Sequence, residues 1–393
     1  MKVLFSLPYY APAYSYGGPV ANSERLAYGL LEKGVEVSVI TTDALDAENR
    51  NPVLQENLNG VNVFRLMNVS NTLSKQANLY APRKLKKWLT DNIANYDLVH
   101  IQDVFAFLMT MPVMDAAIRE KVPFIIQPRG MLNDDCLENS GIIKPIKRFL
   151  IKRYLPRFEK ASAFVALTSV GYHSISHYYD PNKIDIIPNG IDLPDFSELE
   201  PLNIRKKLGL SKEIKVIIYI GRIHWIKGID ISLKVLAGVK NKADFHFVVI
   251  GPHERNELSR LTNLTKQLSL EDKVSFIGPV YGDDKYRYLK GADLFMSLSR
   301  AEGQGITSVE ALACGVPVFL SESAGIEEYN DYNVNKVVNI NRIEEAQNKL
   351  IKLLNEPDTL LDMKKNTRRT VKELFGRQLM VDKFYDLYKR ILT

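Results

Sequence analysis

Four charged side chains in the second half of the sequence are of the right types to hold a diphosphate and a polyhydroxylated group. Arg222 and Lys227 stand in YIGRIHWIKG, residues 219–228, and Glu302 and Glu310 in SRAEGQGITSVEALACGVPV, residues 299–318. Arginine offers phosphate a planar fork of donors and lysine a point charge, while carboxylates accept hydrogen bonds from hydroxyls. Gly303 and Gly305 separate the two glutamates, and Ile306 and Thr307 open a helical pattern carried on by Val309, Leu312 and Ala313. Glycines allow close backbone approach, and the unpaired amides and dipole of a helix start attract an anion. Taken singly, each charge reads as a solvated loop or helix-start residue. Two glutamates with seven residues between them, set in a strand, a glycine turn and a helix, are far more specific.

The elements that must position these groups are legible as short apolar runs between helical patterns. The runs are 2–7, 35–41, 61–66, 97–101, 122–127, 161–168 and 183–188, then 215–221, 245–251, 273–278, 293–299 and 316–321. Their near-continuous apolarity predicts strands buried on both faces, as in parallel sheets flanked by helices. Two open α/β domains follow, with Arg222, Lys227 and Glu302 at the carboxyl ends of strands, where such sheets bind ligands. The segment IPNGIDLPDFSELEP, residues 187–201, is rich in proline and acids and predicts a hinge, with the boundary near Asp195. This gives domains 1–195 and 196–375, with 376–393 a final helix that crosses back to the first domain.

Composition narrows the class. The 393 residues are 46% hydrophobic and 25% charged, with a net charge of +6, which fits a globular protein and predicts no nucleic-acid partner. Cys136 and Cys314 are far apart and form no CxxC pair, so no disulfide framework or structural zinc is predicted. The opening MKVLFSLPYYAP lacks a secretory h-region and no run of 18 apolar residues follows, which predicts a cytoplasmic location. The acid pairs Asp134-Asp135 and Asp283-Asp284 lack DxD spacing, and no metal or cofactor is expected.

With these motifs assembled, the sequence resembles the retaining glycosyltransferases of family 4, which have the two-domain GT-B fold. The GRxxxxKG element, the Glu-x7-Glu element running into ALACGVPV, and IPNGID at residues 187–192 carry the resemblance over nearly the whole chain. It implies two Rossmann-like domains facing a cleft, with a nucleotide-sugar on the C-terminal one. It further implies that Arg222 and Lys227 hold the diphosphate, Glu302 contacts the transferred sugar and Glu310 the ribose. By the same resemblance the amides near Gly305 and Ile306 cradle phosphate, Val280 borders the base, and Gly17-Gly18 approach the donor phosphates. A hexosyl transfer to a glycan or polyprenyl-linked saccharide, in cell-surface polysaccharide synthesis, is the implied activity. Two rival readings remain beside it: a nucleotide-sugar epimerase of the same fold, and a non-catalytic sugar-nucleotide sensor.

In the first half, Gly17 and Gly18 depart from GxGxxG, which weakens a dinucleotide-dehydrogenase reading. DLVHIQDVF sets His100 and Asp103 at a strand end, and FIIQPRGML sets Gln127, Arg129 and Gly130 at another, so His100, Asp103 and Arg129 are acceptor-side candidates. A lone histidine reads equally well as a core residue. Many family members carry a histidine near position 129, where this chain has arginine. Residues 141–160 hold seven Lys or Arg among Ile142, Ile146, Phe149, Leu150, Tyr154 and Phe158. Such a segment either lies on an anionic membrane surface or packs on the sheet with a solvated basic face.

Overall fold

A computed structural model describes the chain except residues 47, 71, 73, 75–78, 139–140, 142–143, 193–198, 254–255 and 325–326; for 327, 328 and 330 it describes the backbone alone. Two compact units emerge, Met1–Gly190 with Arg377–Thr393, and Ile191–Gly376. Asp195, where the sequence places the boundary, lies outside the described residues.

Unit 1 holds strands β1 (Lys2–Ser6), β2 (Glu36–Thr42), β3 (Gln55–Leu58), β4 (Val61–Leu66), β5 (Leu98–Ile101), β6 (Phe124–Ile126), β7 (Ala163–Ala166) and β8 (Ile184–Ile186). They form one sheet in the order β3-β4-β2-β1-β5-β6-β7-β8, parallel throughout except for β3 against β4. Unit 2 holds β9 (Lys215–Ile220), β10 (Phe245–Ile250), β11 (Val274–Gly278), β12 (Leu294–Ser297), β13 (Val318–Ser321) and β14 (Asn335–Val338). Its order is β11-β10-β9-β12-β13-β14, and every pairing is parallel.

Alternate residues of these strands feed the two faces of each sheet. Ile217 and Tyr219 join the core beneath the helix Ile229–Val239, whereas Ile218 and Ile220 join the core beneath the helix Ile306–Ala313. Strand order reverses between β1 and β5 in unit 1 and between β9 and β12 in unit 2. At such a switch point the crossover helices diverge and leave a crevice outside the carboxyl ends of the two strands. In unit 2 the flanking segments are those that carry Arg222, Lys227 and Glu302.

The helix Arg377–Leu392 belongs to unit 1 and puts Met380, Val381, Phe384, Leu387 and Tyr388 into a core with Val3, Phe5, Leu26 and Leu30. Gly190 makes room for it, since a Cβ there would lie 2.8 Å from the Arg377 Cα.

The basic segment folds as the helix Lys144–Phe158, with Ile151, Tyr154 and Phe158 buried. Its other face leaves Ile146 57% and Phe149 66% exposed. Lys144 and Arg148 pair with Glu138, Arg157 with Asp115, and Lys147 lies half-buried with Nζ 5.0 Å from the Phe105 ring centroid. Ile142 lies outside the described residues.

Candidate active site

Beyond β9 the chain passes through Gly221 and Arg222 into a single tight turn, Trp225–Lys227, capped by His224, whose Nδ1 accepts from the Ile226 amide at 3.1 Å. Gly228 follows with φ +64°, and a Cβ there would stand 1.8 Å from the Leu298 carbonyl oxygen. Only glycine lets this turn rest on the exit of β12. That contact brings together residues far apart in the chain: the Lys227 ammonium pairs with the Glu302 carboxylate, both about one-fifth exposed. Arg222 is exposed at the same β9 exit, and its carbonyl accepts from the Tyr219 hydroxyl at 3.1 Å.

Glu302 leads into Gly303 and Gly305, and Gly305 is the cap of the helix Ile306–Ala313. The Ser308 amide and hydroxyl both turn back to the Gly305 carbonyl, at 2.9 and 2.6 Å. The amides of Gly305, Ile306 and Thr307 donate to no acceptor among the described residues. Three adjacent donors and the positive end of the helix dipole are thus left for an anion.

Glu310, five residues into this helix, is buried. Its Oε1 accepts from Lys285 Nζ at 2.6 Å and from the Tyr286 hydroxyl at 3.4 Å, while Oε2 has no partner among the described residues. Burial acts to lower the Lys285 ammonium, but the charge and hydrogen bond of Glu310, helped by Tyr286, outweigh it and hold the group above its ordinary value. Lys285 belongs to the helix Gly282–Lys290, which leaves β11 just past the half-buried Val280. Lys285, Tyr286 and Arg300 carry no mark in the sequence that singles them out. The strand-end rule applied to KVSFIG is the signal that leads to Lys285.

Asp283 and Asp284 lie in the first turn of that helix, and Asp134 and Asp135 in the first turn of the helix Asp134–Glu138. Among the described residues no three or more His, Cys, Asp or Glu side chains converge as metal ligands.

In unit 1, Gly17 adopts φ +82° and ψ −147°, a conformation that is nearly glycine-only, at the head of the helix Gly18–Glu32. Arg129 secures this helix start by donating to the Pro19 carbonyl at 2.7 Å and the Ser23 hydroxyl at 2.6 Å, and also to Gln102. Burial lowers the guanidinium to about 10, with Tyr9 and Asp103 opposing, so it stays cationic at neutral pH.

The strand-end position predicts His100 and Asp103 facing a ligand; the structure instead encloses both. His100 is fully buried, edge-on to Phe5 and beside Phe384, with Nδ1 hydrogen-bonded to the Tyr388 hydroxyl at 2.7 Å. Asp103 accepts from the Ala106 amide at 2.6 Å and so fixes the turn before the helix Phe107–Glu120. Burial raises its carboxyl to about 6, against the amides of Ala106 and Phe105 and the charge of Arg129.

The His100 imidazole is held well below its ordinary 6.5 by burial first and the Arg129 charge second, with Gln127 opposing. An imidazole whose folded value is depressed binds fewer protons folded than unfolded, so its neutral form destabilises the fold only under acid conditions. Its contribution is intact above 6.5 and is lost as pH falls below that value. Relative to a His100→Gln variant, the wild type should lose up to about 1.4 kcal/mol of unfolding free energy per pH unit over this range. Urea titrations across mildly acidic pH check this, and parallel curves for the two proteins contradict it.

Comparison with known proteins follows the same division of the chain. The family described as Glycosyltransferase Family 4 matches residues 16–194, and Glycosyl transferases group 1 matches residues 202–370. An uncharacterized glycosyltransferase of Methanocaldococcus jannaschii is 27% identical over 337 residues, which cover 83% of this chain and 82% of the relative. The structure of sucrose-phosphate synthase from Thermosynechococcus elongatus superposes with a TM-score of 0.78 at 18% identity, covering 100% of this chain and 99% of that one. The Anabaena protein HepE in complex with UDP-glucose gives 0.74 at 17% identity, covering 99% and 100%. At these identities the two structures speak for the fold alone.

Proposed function

The chain belongs to the family 4 glycosyltransferases of GT-B fold, and from that premise we propose that it moves a hexosyl group from a UDP- or GDP-linked donor to a glycan or polyprenyl-linked saccharide. The reaction retains the anomeric configuration and serves the assembly of cell-surface polysaccharide. The observation that carries this reading is the Lys227–Glu302 pair beside the undonated amides of Gly305, Ile306 and Thr307.

In this reading the diphosphate sits on those amides and on Arg222 and Lys227, Glu302 contacts sugar hydroxyls, and Glu310 Oε2 accepts from a ribose hydroxyl beside a base bordered by Val280. The acceptor hydroxyl attacks the anomeric carbon as the bond to the diphosphate breaks on the same face, and a departing phosphate oxygen takes the hydroxyl proton. Charge grows on the diphosphate in that step, and fixed cations and amides aimed at it lower the barrier. No metal is invoked. We assign acceptor binding to unit 1, and to its Gly17-Gly18 loop, whose helix Arg129 secures, a contact with the donor phosphates. His100 supports that side from within the core, alongside Asp103.

The test is nucleotide release from UDP-glucose, UDP-N-acetylglucosamine and GDP-mannose, with and without saccharide and polyprenyl-linked acceptors. Release that rises with one acceptor is expected. Tight nucleotide binding without release under any condition defeats the catalytic reading.

The finer placement proposed for the protein is cytoplasmic and peripheral, on the inner face of the plasma membrane. Exposed Ile146 and Phe149 beside Arg148, Lys152 and Arg153 favour an anionic lipid surface as a partner. Each cation near such a surface contributes about 1 kcal/mol, so replacing the three by glutamine should weaken binding roughly a hundredfold. Sedimentation with phosphatidylglycerol vesicles, against phosphatidylcholine alone, reads the effect. Unchanged sedimentation of the variant leaves the helix with a packing role only.

A further inference from the structure

Arg300 lies between β12 and Glu302, and it reaches back to the β9 exit. Its amide donates to the Ile226 carbonyl at 2.7 Å. Its Nη1 donates to the Trp225 carbonyl at 2.6 Å and to Asp230 Oδ1 at 2.9 Å, and its Nη2 to Asp230 Oδ2 at 2.7 Å. The guanidinium carbon also stands 4.6 Å from the Trp225 ring centroid. Asp230 is buried in the first turn of the helix Ile229–Val239. Burial would raise its carboxyl, yet the hydrogen bonds and charge of Arg300, with Arg260 at 3.9 Å, hold it below the ordinary range.

One side chain therefore fastens residues on both sides of Lys227 to the segment that carries Glu302. The fork fits a carboxylate bidentately and the flat face fits an indole, a combination lysine cannot reproduce. Trp225 and Ile226 immediately precede Lys227 in its turn, and Gly228 presses that turn on Leu298, two residues before Arg300. Lys227 has a long flexible stem, so the direction of its ammonium depends on where this turn is held.

We propose that Arg300 is a positioning residue that sets Lys227 for the donor diphosphate by locking the Trp225–Gly228 turn and Asp230 to the β12 exit. The proposal rests on the reading of Lys227 as a diphosphate ligand. Arg300 touches no substrate in it.

Binding tests the idea without knowledge of the acceptor. Dissociation constants are measured for UDP against uridine and for GDP against guanosine, by calorimetry or ligand-observed NMR, on wild type, Arg300→Met, Arg300→Lys, Lys227→Ala and Lys227→Ala with Arg300→Met. Arg300→Met should weaken the preferred nucleoside diphosphate about tenfold and its nucleoside less than about twofold, and Arg300→Lys should recover part of the loss. In the Lys227→Ala background the methionine should cost nothing further, because its effect passes through that lysine. An unchanged diphosphate constant, an equal loss on the nucleoside, or a full additional loss in the double variant overturns the proposal. A general loss of packing lowers thermal stability and both affinities together, and so falls among the overturning results. If Lys227→Ala itself leaves the diphosphate preference intact, the donor reading of Lys227 falls, and the role of Arg300 with it.

Discussion

Replacing Lys227 by alanine should lower kcat by about a hundred- to a thousandfold, because a donor aimed at charge that develops in the transition state is typically worth that much. Nucleotide affinity should fall far less. Removing the ammonium also takes that cation away from the Glu302 carboxylate next to the phosphate seat, so part of the loss is repulsion that the pair normally offsets. Glu310→Ala should behave in the opposite way. A hydrogen bond between a charged group and a ribose hydroxyl is as strong before reaction as during it, so its loss raises KM by about ten- to a hundredfold and leaves kcat nearly constant. Steady-state kinetics on the nucleotide-sugar that shows release separates the two patterns. Wild-type turnover in both variants would remove this cluster from the reaction.

Gly228→Ala should be among the most damaging single methyl additions in unit 2. The left-handed conformation costs alanine about 1 kcal/mol, and the new Cβ meets a backbone oxygen that cannot swing aside as a side chain would. The turn must lift off β12, with a total loss of about 3 kcal/mol or more. Gly315 is a built-in control, since it has φ +84° and no atom within 4 Å of the place a methyl would take. Gly315→Ala should therefore cost only the conformational share. Urea midpoints of the two variants measure the difference, and equal shifts mean that backbone conformation alone selects glycine at 228. Nucleotide affinity should fall only in Gly228→Ala, as the lifted turn carries Lys227 away from Glu302.

The central strands are readable because they are buried on both faces and so are written in continuous apolar runs, as in KVIIYI and FHFVVI. The two strands that no apolar run marks, β3 (QENL) and β14 (NKVV), are both edge strands. An edge demands less apolarity, so the sequence marks it weakly. At the site, Arg222, Lys227, Glu302 and Glu310 announce themselves by spacing within two short motifs. Lys285 and Arg300 do not, since each looks like a solvated cation until a carboxylate from another strand exit is set beside it. His100 shows the converse. Its strand-end position is legible, but the tyrosine that bonds its ring is 288 residues further along, on a helix whose docking no local pattern records.

The placement of the helix Arg377–Leu392 bears on how the chain is made. Domains generally fold as units while synthesis proceeds from the N-terminus. Here the unit that starts first finishes last, because Phe384 and Tyr388 must leave the ribosome before the pocket around His100 can close. Until then a nascent unit 1 exposes the apolar side of Val3, Phe5 and Leu26 while all of unit 2 is translated. The interval in which this protein needs protection from aggregation is therefore set by the length of its second half.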